Sequence, residues 1–360
     1  MADVNTNPFN AAYFAAGIQQ LFPAKMFLRK LFAKVLSINS LTVDWDFYEN
    51  TRKLANFTSL RVQGDNLPNL VYKTKQVDLP TIKQKHFIAD ADIAQSREFG
   101  YHRYAEVDFM EKTSLRILRE MYEDLNSISR LEEWCLAQAI QTGIIPIVGT
   151  GISTSVDMGM KNTHIYSLTG NDLWSDSSSD PLRDLRNACD LIADDSGLST
   201  GFVAICGNDA ITALQNNSKF KEALDNRRIE LAKIDPSLSE DGSVLVGTIS
   251  DPPVALYRYP EKYYNGSALV PMISPKKVVL ASTLADVTIY YGGIYSTAFT
   301  KDGESAAVVD TTVQDNTFGR KAIIKTRNAF DPSGTEILVQ TSSLPVVRQP
   351  DGFICMQVLA

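Results

Sequence analysis

One stretch limits the choice of fold more than any other. From residue 108 to 142 the chain keeps a helical period without a break, with Leu115, Leu118, Met121, Tyr122, Leu125, Ile128, Cys135, Leu136 and Ala139 at i, i+3 and i+4 spacings. Asp108 and Glu111 have capping-box spacing at its start, and Gly143 supplies a stop. At about 1.5 Å per residue the helix would run for roughly 50 Å. Few globular domains need one that long.

The chain has 360 residues, 44% of them hydrophobic and 21% charged, which is enough for two or three domains. Its 42 acidic residues outnumber 35 basic ones, for a net charge of -7. That balance argues against a dedicated nucleic-acid binder, which would carry a basic stripe. Cys135, Cys189, Cys206 and Cys355 lie far apart without a C-x-x-C pair and read as reduced core thiols. No run approaches a membrane span. Residues 1–24 lack the basic start of a secretory signal, so synthesis in a cytoplasm is expected.

Around the long helix the segments differ in character. Residues 25–35 alternate Phe27, Leu28, Leu31, Phe32 and Val35 with Lys25, Arg29, Lys30 and Lys34, a basic amphipathic helix docked on a neighbour with its charges in water. Residues 41–100 read as extended, and their interleaved charges and prolines suit a long hairpin that needs a partner. Asp180, Pro181 and Gly197 delimit a helix whose buried face is Leu182, Leu185, Cys189 and Ile192. Phe202–Cys206 reads as a buried strand, and Asn208 as the cap of a short helix. Ile337–Gln340 and Phe353–Leu359 read as two strands separated by Pro345 and Pro350.

Tests for chemistry come out negative. GTGISTSVDMGM (residues 149–160) follows an apolar strand, as a phosphate loop would, but lacks the third glycine and the Gly-Lys-Ser/Thr. Its Ser and Thr run suits a turn and a strand. His86, His102 and His164 share no ligand spacing, there is no G-x-S-x-G elbow, and the acidic pairs fit solvated faces. Asn265-Gly266-Ser267 reads as a hairpin turn. No catalytic, metal or cofactor site is expected. The unusual parts are the basic arm, the polar hairpin and the over-long helix, which make sense if their partners are copies of the same chain.

Five stretches, in order along the chain, carry a resemblance: FLRKLFAKVLSINSLTVDWD, VDLPTIKQKHFIAD, VDMG (Val156–Gly159) with the Leu173-Trp174 and Asp180-Pro181 spacing after it, FKEALDNRR, and the terminus FICMQVLA. Together they resemble the major capsid proteins of tailed bacteriophages, the lambda E-type family. The resemblance implies the α+β Hong Kong 97 capsid fold. It assigns 1–40 to an N-terminal arm, 41–100 to an extended loop lying over a neighbour, and 101–179 to a peripheral domain with the spine helix 108–142. An axial domain would span 180–320, and peripheral strands 321–360.

The same resemblance implies a shell of pentamers and hexamers enclosing double-stranded DNA, found in the virion and assembled in the bacterial cytoplasm. Scaffold, portal and decoration proteins are possible partners, and no membrane is involved. Candidate contacts between subunits are Phe27, Leu31, Lys83, Lys85, Arg227 and Arg228. The alternatives are an encapsulin-like compartment subunit and a soluble enzyme with an unrecognised site.

Overall fold

The computed structural model describes residues 26–38, 40–48, 61, 72–95, 109–225, 232–238, 242–292, 304–310 and 321–360. The long helix is there, Phe109–Thr142, 34 residues in one piece. Gly143, at φ 70°, ends it and returns its N–H to Ala139 O.

Its length is explained by what it packs on. Towards its N-terminus Ile117, Met121, Leu125 and Ile128 meet Ile88, Ala322, Ile324, Ile337 and Val339. These last five belong to a six-stranded sheet. Its order is Ala33–Ser37, Val287–Tyr291, Gly334–Val347, Lys321–Ala329, Glu304–Asp310, with Thr81–Ala89 also paired to Gly334–Val347. Towards its C-terminus Leu136, Ala137 and Ile140 join a second core with Val203, Ile205, Val279, Ala281, Phe353 and Cys355.

That second group lies on one face of a seven-stranded sheet. Its order is Ile165–Ser167, Phe353–Gln357, Lys277–Ser282, Phe202–Cys206, Pro253–Arg258, Val244–Ser250, Ala232–Leu238. Phe202–Cys206 is buried at every position, as its unbroken apolar run requires. Its odd and even residues serve different cores. Val203 and Ile205 face the long helix, while Phe202, Ala204 and Cys206 face Leu185, Ala188, Cys189 and Ile192 of the helix Pro181–Ser196. That helix has the expected ends: Asp180 accepts from Arg183 N–H at 3.2 Å, and Gly197 sits at φ 84°.

Several expectations need correction. The basic segment is helical only over Phe27–Phe32, and from Ala33 it becomes a strand parallel to Val287–Tyr291. Thr42–Tyr48 does form a hairpin with Tyr72–Asp78. Val43 and Trp45, however, are each 2% exposed in the chain's own core, because the Val-Asp-Trp-Asp alternation gives the hairpin one apolar face. Thr81–Ala89, within the stretch read as extended, pairs along its whole length with Gly334–Ser342.

Strands from both sides of residue 321 share each sheet. Val287–Tyr291 and Glu304–Asp310 lie in the six-stranded sheet, and Phe353–Gln357 in the other. Pro345 does not end its strand, which runs to Val347. Beyond Ser342 this strand has Val287–Tyr291 as its neighbour, so an edge is free for the missing N–H. Gly207, not Asn208, precedes the helix Asn208–Asn216. A Cβ at Gly207 would lie 2.3 Å from Ser274 O, so no other residue fits there.

Candidate functional site at the helix junction

The clearest concentration of buried charge lies where the short helix Phe27–Phe32 crosses the long one. Arg29, expected in water, is 2% exposed. Its Nη1 lies 2.9 Å from Glu132 Oε2, and its guanidinium stands over the Tyr291 ring, 5.9 Å from the centroid. Tyr291 donates its hydroxyl to the Glu132 carboxylate at 3.0 Å. The guanidinium keeps its charge against burial because Tyr291, Glu132 and Glu133 favour it.

Glu133 has a different task. Its Oε1 accepts Leu28 N–H at 2.8 Å and its Oε2 accepts Arg29 N–H at 3.1 Å. A six-residue helix whose N-cap, Met26, has no side-chain oxygen thus receives its cap from another helix. Tyr259 donates to Glu133 Oε1 at 2.9 Å.

Burial pushes the Glu133 carboxyl up to about 7, against the opposing pull of these donors and of Arg29. The folded chain therefore holds a proton that the unfolded chain releases near 4.5. This contribution to stability is full below that value and is lost as pH rises towards 7. The slope should be at most about 1.4 kcal/mol per pH unit. Glu133→Gln should remove that slope from subunit unfolding measured between pH 5 and 7.5. An unchanged slope would mean that another group titrates.

A second junction ties the hairpin down. In VDMG, Val156 and Met158 are buried, at 4% and 0% exposure. Asp157 Oδ1 accepts Gly159 N–H at 2.8 Å, forming a tight turn. Lys75, from the strand Tyr72–Asp78, donates to Asp157 O at 2.9 Å and lies 3.3 Å from Oδ2. Gly159 sits at φ +81°, and a Cβ there would lie 3.2 Å from the Lys75 amine. Gly159→Ala should cost about 1–2 kcal/mol in urea unfolding and loosen the hairpin. A cost near zero would show that this turn is not strained by a side chain.

The residues named from sequence do not converge on one site. Phe27 is 5% exposed, with its ring 5.1 Å from Tyr257 and 5.6 Å from Tyr259, so this side chain is spent inside its own subunit. Leu31 is half-buried against the same core. Lys83 and Lys85 are exposed on Thr81–Ala89, with Lys85 Nζ 2.9 Å from Glu336 Oε1. Arg227 and Arg228 lie outside the described residues.

Sequence reasoning missed Glu132 and Glu133. They stand on the buried stripe of the long helix, between Ile128 and Leu136. Charged residues at such positions signal a buried ion pair or cap. His164 is also buried, with Nδ1 2.8 Å from Phe353 O and Nε2 2.8 Å from Asp195 Oδ2. Among the described residues no group of three or more His, Cys, Asp or Glu could hold a metal, and no helix is long and apolar enough to cross a membrane.

The arrangement joins elements distant in the chain. Its likeness to known proteins has the same character. Over 97% of both chains it is similar to a capsid protein of an Escherichia coli CFT073 prophage, with a TM-score of 0.65 at 17% identity. It is also similar to the capsid of Ralstonia phage GP4, with a TM-score of 0.51 at 11% identity, covering 94% of this chain and 92% of that one. A phage-related protein of Bordetella bronchiseptica RB50 gives 0.50 at 10% identity over 97% of both. The fold is thus α+β, of the Hong Kong 97 type. No curated protein matches the chain. The model of the family described as phage major capsid protein E matches residues 10–358, and over that span the chain belongs to this family of virion shell proteins.

Proposed function

We propose that the protein closes into an icosahedral head of pentamers and hexamers around double-stranded DNA, in the cytoplasm of a bacterial host, without catalysing a reaction. The observation that carries this reading is the family match across residues 10–358. The seven-stranded sheet serves as the axial domain, the six-stranded sheet as the peripheral domain, and Phe109–Thr142 as the spine. The chain up to the short helix is the arm. The loop that reaches a neighbour is the hairpin within 41–78, and the exposed Lys83 and Lys85 contact the next subunit at its base. Leu31 contributes what remains exposed of the arm's apolar face, while Phe27 only seats the arm. Arg227 and Arg228 are kept as contacts of the axial domain. Scaffold, portal and decoration proteins meet the shell, and DNA meets it through non-specific charge.

The test is to express the chain with its neighbouring head genes and examine the product by sedimentation and electron microscopy. Closed shells of uniform size, or rings of five and six, are expected. A monodisperse monomer at high concentration under every assembly condition would sink the reading.

A further inference from the structure

The stretch that first suggested a phosphate loop forms a hairpin of its own, Ile144–Gly149 paired with Ile152–Asp157, closed by Thr150 and by Gly151 at φ 80°. Among the described residues these two strands pair with each other and with no third strand. At the base Ile145 and Val156 are buried in the main core, at 0% and 4% exposure. The same face then continues past the body of the protein through Ile147 to Ile152, which is 42% exposed. On the opposite face Ile144 and Val148 are 44% and 78% exposed.

Free strand edges are normally protected by charge, proline or cover. Here no charged residue occurs from Ile144 to Val156. Pro146 interrupts the edge of the first strand, whereas the second, Ile152–Asp157, has no proline and no charge before Asp157 at its end. An edge left open in this way presents unpaired N–H and C=O groups, a template for pairing with another chain.

We infer that the tip of this hairpin, Val148 and the edge strand Ile152–Val156, is an assembly surface whose occupant is a second copy of this chain. The inference rests on the capsid reading. No cation occurs from Ile144 to Val156, and Lys75 at the base is paired with Asp157, so the tip does not suit the packaged polyanion. In a shell, each subunit presents this hairpin once, and the partner present in matching number at every position is another subunit. The Lys75–Asp157 contact ties the hairpin to the loop already proposed to reach a neighbour, so one patch would carry both elements.

The test is Val148→Lys with Ile152→Lys, at side chains exposed enough that the subunit should keep its wild-type circular dichroism. The concentration needed for shell formation should rise roughly tenfold or more. In the unmodified protein the amides of 150–156 should exchange at least about tenfold more slowly in shells than in free subunits. Wild-type shells together with a folded double variant that assembles at the wild-type concentration would overturn the inference and leave the capsid reading standing. Equal exchange in both states, or protection only after another virion protein is added, would overturn it too. Failure of the wild-type chain to form shells at all would remove the reading beneath it.

Discussion

Leu125→Pro is expected to abolish shell formation. Leu125 lies halfway along Phe109–Thr142 and is 5% exposed. Proline removes the N–H that bonds one turn back and drives its ring into that turn, at about 3 kcal/mol or more. Loss of the leucine from the core it shares with Ile88, Ile324 and Val339 adds roughly 2–5 kcal/mol. The two effects are separable. Leu125→Ala keeps the backbone and should weaken the subunit while still allowing some shells. The proline should lower the helix signal and leave none visible by electron microscopy. Normal shell yield from the proline variant would mean that this helix is not what aligns the two sheets.

Glu132→Gln should be nearly as damaging, although it changes one atom. Arg29 is buried against the long helix, and its Nη1 lies 2.9 Å from Glu132. Without the carboxylate, a guanidinium stays in a low-dielectric site short of its closest counter-charge, at a cost of about 3–5 kcal/mol. Urea unfolding of the isolated subunit would measure this. A further variant shows what the pair is for. Arg29→Met with Glu132→Met and Tyr291→Phe removes both charges and the buried hydroxyl bonded to them and keeps much of the volume, so stability should return to within about 1 kcal/mol of wild type. Full stability with faulty assembly would show that the pair fixes where the short helix sits. If Glu132→Gln alone costs under about 1 kcal/mol, the ion pair does not seat the arm.

What the sequence revealed was local. The periodicity of 108–142, the Asp180-Pro181 start and Gly197 stop, and the unbroken apolar run of 202–206 each depend on residues within a few positions, and each is found in place. The turns at Gly151 and Gly266 are likewise set by backbone φ. Contacts over long distances were not legible. Arg29 reads as a solvated base because the partner that buries it lies 103 positions away. Thr81–Ala89 reads as part of a polar hairpin in need of a partner, because charged and apolar residues alternate along it, but that its ladder partner is Gly334–Ser342 cannot be read from nearby residues. Phe27 and Leu31 do share an apolar face, but periodicity carries no information on whether such a face meets its own core or a neighbour's. The charged cluster at Glu132 and Glu133 left one usable trace, two acids on an apolar stripe.

The pairing of Thr81–Ala89 with Gly334–Ser342 also sets a clock. Lys85 and Glu336 are 251 positions apart, so the strand nearer the N-terminus leaves the ribosome long before its partner exists. At about 5–20 residues per second the wait is roughly 10–50 s. The short helix waits similarly, since Ala33–Ser37 pairs with Val287–Tyr291. Nascent chains therefore lack this pairing until residues 334–342 have been made, and a chain cut short before residue 334 never acquires it. Synthesis past residue 342 thus becomes a checkpoint: until then the edge of Thr81–Ala89 stays open, and only afterwards can the sheet that the long helix packs on close.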